Sequence, residues 1–513
     1  MKKSLSKITR ISLLLTIFFA LDKGVAFIRQ VVIARQFGLS PDLDAFNVAN
    51  NVPDLLFALI SGGALAMAFI PILAETIKKD SRDAAWALFS KIANLAFLVT
   101  AVLAILVALL AEPLVGMRLG IAPGFNTSQQ ALVVELMRMN LVATLIFSIS
   151  GLVMAGLQAN QHFLLPAIAP LLYNIGQIFG AIFLAPEGGT NIAGITIPSL
   201  GMGIQGLVVG VILGAILHLG VQIPGLIRNG FQWTAQIGFN DTRVTRVLSL
   251  MGPRIVTMLF IQFIFLVRDN LASRLETGAV TALTYGWMIM QVPETLIGTA
   301  IGTALLPTLS EQHSLQQKES YQQTIQKAVK VLIGLMLPIA AVLSIGITPF
   351  LEPVFRFGDQ GSQLMVWVTR GFLAGIVGHS LMEVMARSFY ARQDALTPLF
   401  TAGITVVLYI GLGSILYRTL GAPGISLTDT TAYTLQAVIL IFLLQKKANI
   451  QIRIGSTIWR AGAAAILGGT GALLVLSWLN QSSPWLAGAV SLLAGGVVSL
   501  PWIWTEIKML LHL

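Results

Sequence analysis

The sequence has no cysteine and few charged residues. Without a thiol among its 513 residues, the chain can form no disulfide, no thiolate metal site and no cysteine-based active site. Charged residues make up only 11% of the chain, against roughly 25% in a soluble globular protein. Hydrophobic residues make up 56% and occur in runs of about 20, the length that crosses a hydrocarbon core of ~30 Å. This composition indicates a membrane-spanning protein.

Sequence patterns for catalysis are absent as well. No G-x-x-x-x-G-K-[ST] motif occurs, which excludes ATP hydrolysis through such a phosphate-binding loop. The five histidines are scattered along the chain and form no metal-ligand or Ser/His/Asp pattern. We therefore predict that the protein is not an enzyme, with no catalytic residues, no bound cofactor and no metal site.

The hydrophobic runs predict an all-α polytopic fold. Only helices and closed barrels satisfy backbone polar groups inside a bilayer, and barrel strands would alternate polar and apolar residues over about 10 positions. The runs here are continuous, which predicts about fourteen transmembrane helices. The predicted spans cover residues 8–35, 43–76, 86–111, 131–157, 163–185, 200–226, 243–273, 279–309, 324–350, 364–390, 395–417, 423–445, 457–479 and 485–509.

Lysines and arginines are distributed unevenly between the predicted loops. Alternate loops hold most of them, including residues 2–10, 78–82 and 446–453, whereas the loops between hold at most one arginine each. Because cytoplasmic loops are enriched in lysine and arginine, both termini are predicted to be cytoplasmic. Asp22 and Lys23 stand where a signal peptidase would need small residues, so the first span is predicted to stay uncleaved. The net charge of +10 follows from this topology and predicts no nucleic-acid partner.

Two stretches of the chain repeat each other. NVPDLLFALISGGALAMAFIPILAE at 51–75 matches QVPETLIGTAIGTALLPTLSE at 291–311, and ANQHFLLP at 159–166 matches ARQDALTP at 391–398. The offset stays near 232–240 residues throughout. Matched spans begin on the same side of the membrane, which indicates a parallel repeat with a pseudo-two-fold axis along the membrane normal.

The repeat predicts three parts of the chain. An N-terminal lobe covers 1–228, a pseudo-symmetric C-terminal lobe covers 229–445, and two accessory spans occupy 446–513. Two six-helix lobes of this kind enclose a central cavity and alternate its access between the two sides. The architecture favours a transporter.

Several ionisable and polar residues lie inside the predicted spans, where a charge costs about 3 kcal/mol and marks function by default. Arg29 is the strongest candidate, because it lies mid-span, seven residues from Asp22 and on the same helix face. Lys23 is close by, and one aspartate cannot neutralise both cations. The candidate substrate-binding residues are Lys23, Arg29, Asp44, Asn51, Arg268, Asp269 and Arg387.

Some of these residues also have a purely structural interpretation. Glu383 and Arg387 are four residues apart and can neutralise each other on one helix face. Asp44 can cap the start of the second span. Arg268 and its neighbour Asp269 point in different directions along a helix, so only weak pairing between them is expected.

A cavity lined by spans 1 and 7 would hold more cations than anions and would therefore suit an anion. The planar guanidinium of arginine binds phosphate through a fork of donors. A diphosphate-linked lipid fits such a cavity, since its charged head needs a polar site while its tail can stay in the bilayer.

Several motifs resemble one known family. FIRQVVIARQFG at 27–38, LDAFNVANNVPDLL at 43–56, LLPTLSE at 305–311 and FYARQDALTP at 389–398 are similar to the MurJ/MviN lipid II flippases. The resemblance implies the fold of the multidrug/oligosaccharidyl-lipid/polysaccharide exporter superfamily. It also implies movement of undecaprenyl-diphosphate-linked peptidoglycan precursor, lipid II, from the inner to the outer leaflet of a bacterial inner membrane.

The resemblance places the family's span 1 cavity arginines on Lys23 and Arg29. Well-studied members carry further arginines where this chain has Phe57, Ala58 and Met288. Arg268 is expected to restore one of these cavity cations.

Two other functions stay open at this point. One is export of another polyprenyl-diphosphate-linked oligosaccharide, and the other is a cation-coupled drug antiporter of the same superfamily, which would need an acid-dominated cavity. The expected partners are the lipid-linked diphosphate and membrane lipids; the sequence does not identify protein partners. A coupling ion, Na⁺ or H⁺, is possible under each of these functions, and the sequence does not select one.

Overall fold

The structure is a computed structural model that describes residues 7–60, 63–192, 195–238 and 240–511. The predicted position of the two termini bears on residues 1–6 and 512–513, which lie outside the described residues. The chain forms two compact units, unit 1 (Met1–Leu266) and unit 2 (Val267–Leu513), each described by itself. The boundary predicted from the sequence repeat lies at 228/229. The boundary between the two compact units lies at 266/267, inside the helix Thr242–Ala272.

Unit 1 is almost entirely helical. Its helices are α1 (Lys7–Phe37), α2 (Pro41–Ile60), α3 (Gly63–Lys79), α4 (Arg82–Leu109), α5 (Ala111–Gly116), α6 (Thr127–Ala159), α7 (Leu164–Phe179), α8 (Gly203–Gly220), α9 (Ile223–Arg228) and the first part of α10 (Thr242–Ala272). A π-helical turn, Gly180–Leu184, extends α7. A short antiparallel hairpin of β1 (Thr190–Ile192) and β2 (Ile195–Ile197) joins α7 to α8, a small exception to the all-α prediction.

The described part of unit 2 consists of helices and the loops that join them. Its helices are the end of α10, α11 (Ala279–Pro293), α12 (Ala300–Ser314), α13 (Lys318–Gly346), α14 (Thr348–Phe355), α15 (Gly358–Ala374), α16 (Ile376–Ala391), α17 (Leu396–Ala448), α18 (Thr457–Trp478) and α19 (Pro484–Leu510). A second π-helical turn, Glu294–Thr299, joins α11 to α12. Each predicted span overlaps one or more of the described helices, and apart from the short hairpin the all-α prediction is confirmed.

Ten helical segments of the described chain are long and apolar enough to cross a membrane, and the total of fourteen spans stays a prediction. One of the ten, α17, has 53 residues. A straight helix of that length would measure about 80 Å at 1.5 Å per residue, well beyond a core of ~30 Å. At Gly421 the backbone leaves the helical region (φ 63°, ψ −142°), so α17 is two helices joined at a bend. They correspond to the predicted spans 395–417 and 423–445.

Glycines bring α7 and α8 into close contact. Gly176 of α7 and Gly180 of the π-helical turn that extends it face Gly214 and Gly210 of α8. The two glycines on each side are four residues apart. A Cβ atom on Gly180 would lie 2.7 Å from the Cα of Gly210, closer than side chains tolerate. Small residues at this spacing let membrane helices approach backbone to backbone. This contact sets the position of α7, which carries part of the site described below.

The segment before α10, residues 229–241, packs along α4. The Trp86 indole donates to the Asn229 carbonyl (3.0 Å), Asn94 donates to the Thr234 carbonyl (2.7 Å), and Lys91 pairs with Asp241 (3.0 Å). These contacts explain why unit 1 continues past the end of the predicted N-terminal lobe.

Asp241 lies at the end of this segment and pairs with Lys91 of α4. Burial raises the pKa of Asp241, but hydrogen bonds from Arg243 and Lys91 outweigh burial and lower the pKa to about 2. A depressed carboxyl pKa stabilises the folded state above the unfolded value of about 4. That contribution is therefore present at neutral pH and is lost only as the pH falls toward 2.

Candidate functional site

Polar side chains connect α1 to α7 in unit 1. The Arg29 guanidinium donates from Nη1 to the Asn174 side-chain oxygen at 2.9 Å, and Asn174 donates from Nδ2 to Asp22 at 2.8 Å. The amide of Asn174 therefore bridges the carboxylate and the guanidinium, which lie on one face of α1 as predicted. Asn174 itself is buried, so the bridge is held in place by packing.

Arg29 keeps binding capacity after this contact. It is half-buried and makes no direct salt bridge with an acidic residue of the described chain, and its Nε has no hydrogen-bond partner there. Asp54 of α2 and Tyr173 of α7 lie close enough to interact electrostatically with the guanidinium. A guanidinium that is oriented by an amide and has no carboxylate paired with it is a suitable receptor for a phosphate oxygen.

Aromatic residues line the space beside Tyr173. Phe57 contacts Phe147 edge-on with ring centroids 5.3 Å apart, and Phe147 contacts Tyr173 at 5.1 Å. Phe57 thus packs into an aromatic cluster at a position where the resemblance implies an arginine. The cluster is uncharged, so it adds no cation beside Arg29.

The other candidate residues of unit 1 lie in different surroundings. Lys23 is exposed on α1, and Asn51 is half-buried on α2 with a polar partner. Asp44 is 1% exposed inside the first turn of α2. The capping role considered for Asp44 is wrong, because the Ser40 hydroxyl accepts the hydrogen bond from the Leu43 amide at 3.2 Å.

The candidate residues of unit 2 are paired with each other or with neighbours. Arg268 Nε donates to Asp269 Oδ1 at 2.7 Å, and both residues are buried. The expectation of weak pairing between these neighbours is therefore wrong. Long side chains inside a low-dielectric interior bend toward each other, because each buried charge needs a partner. Arg387 pairs with Glu383 at 2.5 Å, which confirms the structural interpretation of that pair.

Arg268 lies 239 residues after Arg29, within the range of offsets of the predicted repeat. The two arginines nevertheless differ in their surroundings. Arg29 contacts a neutral amide, whereas Arg268 contacts a carboxylate and is 7% exposed. Because Arg268 is buried and paired with a carboxylate, it attracts an anion less than Arg29 does. Arg29 of unit 1 is therefore the better candidate for substrate contact.

Two groups were missed by sequence analysis. Asn174 bridges Asp22 and Arg29, and a carboxamide inside an apolar span was the signal that could have indicated it. His379 and Asp429 form a buried pair at 2.7 Å in unit 2. Asp429 lies inside a predicted span and could have been selected on the same grounds as Asp269.

Comparisons with known proteins agree with the motif resemblance. The sequence model of the family "Lipid II flippase MurJ" matches residues 33–494. A lipid II flippase MurJ of Burkholderia cenocepacia is 31% identical over 483 residues, covering 91% of this chain and 89% of the relative. A probable lipid II flippase MurJ of Haemophilus influenzae is 27% identical over 439 residues, covering 82% of this chain and 83% of the relative.

Solved structures share the fold. A lipid II flippase MurJ in an inward closed conformation superposes with a TM-score of 0.78 at 20% identity, covering 97% of this chain and 100% of the other. An inward-facing multidrug resistance transporter of the MATE family superposes with a TM-score of 0.67 at 15% identity, covering 83% and 94%. The chain therefore belongs to the lipid II flippase MurJ family.

Proposed function

We propose that this multi-span membrane protein moves lipid II, the undecaprenyl-diphosphate-linked peptidoglycan precursor, from the inner to the outer leaflet of the bacterial inner membrane. The observation that carries this proposal is the family match across residues 33–494. The reaction forms and breaks no covalent bond, so the protein is proposed to act as a transporter. Its part is to shelter a charged headgroup while the lipid tail stays in the bilayer.

Arg29 is proposed to contact the diphosphate of the substrate, with Lys23 adding a second positive charge on the same helix. The Asp22–Asn174–Arg29 bridge supports this role, because it orients the guanidinium without neutralising it directly. Asp44, Asn51, Arg268, Asp269 and Arg387 stay predictions as substrate-binding residues. Of these, Arg268 and Arg387 would have to release Asp269 and Glu383 to bind an anion.

The alternative of a cation-coupled drug antiporter has less support. The MATE neighbour shares the fold at 15% identity, which carries no information on substrate. A drug antiporter needs an acid-dominated site to attract cationic drugs, whereas the candidate site of unit 1 presents Arg29 and Lys23 together with Asp22 and Asp54. Export of another polyprenyl-diphosphate-linked oligosaccharide uses the same diphosphate chemistry and is separated from lipid II by the experiment below.

Complementation tests the proposed function. We expect this chain to restore growth and cell shape to a strain depleted of its own lipid II flippase, because the diphosphate-linked precursor is the cargo. The purified protein in proteoliposomes should also move a fluorescent lipid II analogue between leaflets. The control chain carries Arg228→Ala, an exposed arginine at the end of α9, and should behave as the parent. Growth failure combined with transport of a different polyprenyl-diphosphate glycolipid would favour the oligosaccharide alternative.

The proposed orientation places residues 78–83 and 446–453 in the cytoplasm, and 120–130 and 481–484 outside. Because the chain has no cysteine, single cysteines report their own position cleanly. Lys78 and Gln481 are exposed and make no ion pair within the described chain, so Lys78→Cys and Gln481→Cys should fold. In intact spheroplasts, an impermeant maleimide should label Gln481→Cys and leave Lys78→Cys unlabelled until the membrane is opened. Labelling of Lys78→Cys from outside would contradict the orientation.

A further inference from the structure

Two arginines at equivalent positions of the repeat make the same contact with the backbone. Arg138 of α6 donates from Nε to the Ala108 carbonyl at 3.0 Å, and Arg370 of α15 donates from Nε to the Ser344 carbonyl at 2.9 Å. Arg370 lies 232 residues after Arg138, the offset that also relates ANQHFLLP to ARQDALTP, and Ser344 lies 236 residues after Ala108. Both carbonyls are near the ends of their helices, α4 and α13, which lie on the outer side in the proposed orientation.

In unit 1 the arginine is neutralised by acidic neighbours. Arg138 pairs with Glu112 at 3.4 Å, and a second carboxylate, Glu135, lines the same pocket. Two carboxylates beside one guanidinium give this position a net negative charge. It therefore repels an anion.

In unit 2 the equivalent positions provide no carboxylate to the arginine. Glu352, which the repeat relates to Glu112, accepts a hydrogen bond from the Ser362 hydroxyl. Trp367 stands at the position equivalent to Glu135. The same place in the two units therefore holds an acidic pocket in one and an aromatic ring in the other.

Arg370 is held in place and keeps its charge. Its guanidinium lies over the Trp367 ring, 5.1 Å from the centroid, a geometry in which the ring attracts the cation. Within the described chain, Arg370 makes no ion pair, and its one hydrogen bond is the contact of Nε with the Ser344 carbonyl. Both terminal nitrogens are therefore available to a group outside the chain.

The face of α15 that carries Arg370 has the character of a membrane-facing surface. Gln363, Trp367 and Ala374 are exposed at the same helical spacing as the half-buried Arg370, and Trp367 is 53% exposed. The face is polar at its outer end and apolar below. Tryptophan and arginine side by side are typical of the boundary between lipid tails and headgroups.

The depth of Arg370 places its guanidinium within reach of outer-leaflet headgroups. The polar residues 358–363 precede an apolar run that begins at Leu364, so Arg370 lies six residues, about 9 Å, inside the run. Side chains of a helix point toward its N-terminus, which for α15 is the outer end in the proposed orientation. The guanidinium can therefore extend to the headgroups while its methylenes stay among the tails.

The ligand that fits this position is a lipid with one phosphodiester and a net negative charge. The two terminal nitrogens of a guanidinium match two phosphate oxygens. No carboxylate of the described chain lies within ion-pair distance of Arg370 to hold the ammonium group of a zwitterionic lipid. One guanidinium balances the single charge of phosphatidylglycerol, whereas a polyprenyl diphosphate carries more charge than this position neutralises.

We propose that Arg370, held by Ser344 and stacked on Trp367, binds the phosphate of an outer-leaflet phosphatidylglycerol at the surface of unit 2. Since Arg370 belongs to α15 and Ser344 to α13, the bound lipid stabilises the contact between the outer ends of these two helices. The site is separate from the proposed substrate contact at Arg29. The inference does not depend on the flippase function, because no transported lipid takes part in it.

Lipid binding by the purified, delipidated full chain tests the site. Native mass spectrometry in detergent measures the Kd for phosphatidylglycerol, phosphatidylcholine and diacylglycerol. We expect phosphatidylglycerol to bind about tenfold more tightly than phosphatidylcholine, and diacylglycerol to bind more weakly than both. Arg370→Ala should lower the affinity for phosphatidylglycerol about tenfold or more, and Trp367→Ala about two- to fivefold. Arg370→Lys should lie between the parent and Arg370→Ala, because it keeps the charge and loses the fork.

The repeat supplies a matched control and a converse experiment. Arg138→Ala removes an arginine with the same carbonyl contact that is already paired with Glu112, so phosphatidylglycerol binding should not change. The double variant Glu112→Gln/Glu135→Trp gives unit 1 the neighbours that Arg370 has in unit 2. It should bind one additional phosphatidylglycerol with an affinity similar to that of the first.

The results that overturn the proposal are distinct. Equal affinity of the parent protein for phosphatidylglycerol and phosphatidylcholine would contradict it, as would unchanged binding in Arg370→Ala. If Arg370→Ala does not fold, unchanged binding in Trp367→Ala or the lack of a second lipid in the double variant would overturn it. Undecaprenyl diphosphate that binds in preference to phosphatidylglycerol and depends on Arg370 would assign the site to the transported lipid. Complementation tests the flippase function separately, so either proposal can fail alone.

Discussion

Replacing Arg29 by alanine is expected to abolish lipid II flipping while leaving a folded protein in the membrane. Hydrogen bonds to charged groups contribute about 1.5–3 kcal/mol each, so loss of a two-donor contact to the diphosphate lowers the rate roughly a hundredfold or more. The fold should tolerate the change because Asp22 keeps its hydrogen bond from Asn174 at 2.8 Å. Membrane abundance, melting temperature and complementation should be measured together.

Arg29→Lys distinguishes charge from geometry. Lysine keeps the positive charge but lacks the planar fork, so we expect partial activity. Asn174→Ala should lower activity less than Arg29→Ala, because it removes the support of the guanidinium without removing its charge. Arg228→Ala serves as the matched control for loss of an arginine.

A structural role for Arg29 predicts a different pattern. If Arg29 mainly neutralises Asp22, Arg29→Ala should lower abundance and melting temperature, and joint apolar replacement of Asp22 and Arg29 should restore function. An abundant and fully active Arg29→Ala protein would contradict both roles. The phosphate contact would then have to be sought at Arg268.

Replacing Arg460 by alanine is expected to cost about 3–5 kcal/mol of stability, the typical effect of breaking a buried ion pair. Glu506 of α19 has 0% exposure, accepts a hydrogen bond from Thr457 of α18 at 3.0 Å, and pairs with Arg460. Its second carboxylate oxygen has no hydrogen-bond partner within the described chain. Without Arg460 the buried carboxylate loses its cation, so α18 and α19 should separate more easily at high temperature.

The Glu506 side chain also packs against α13. A Cβ atom on Gly334 would lie 2.9 Å from the Glu506 Cβ, so the glycine makes room for Glu506 between the helices. Thermal unfolding in detergent should show a lowered midpoint for Arg460→Ala and recovery in the double variant Arg460→Met/Glu506→Leu. The control is Lys508→Ala, because Lys508 is exposed and lies on α19 with Glu506. A double variant that is no more stable than Arg460→Ala would show that charge pairing is not what holds these helices.

Much of the fold could be predicted from the sequence because helices in membranes are local features. The predicted span 86–111 corresponds to α4 at Arg82–Leu109, and the span 457–479 corresponds to α18 at Thr457–Trp478. Apolar length and helix breaks are properties of consecutive residues. The π-helical turns and the β1–β2 hairpin were not predicted, since both interrupt the continuous α-helical pattern that apolar length indicates.

The site could be predicted only in part. Mid-span position identified Arg29, because a charge in the bilayer is costly whatever its neighbours. Asn174 lies 145 residues from Arg29 in the chain, and Asp429 lies 50 residues from His379. No local pattern specifies which polar side chains meet across such distances.

The sequence by itself determined that this is a helical membrane protein with an internal repeat, a basic first span and the motifs of the lipid II flippase MurJ family. Only the tertiary structure decided which of the intramembrane charges are neutralised. Arg268 and Arg387 have carboxylate partners, Arg29 has an amide, and Asp429 has a histidine. The physical reason is that hydrophobicity adds up along the chain, whereas the cost of a buried charge depends on the groups that surround it in space.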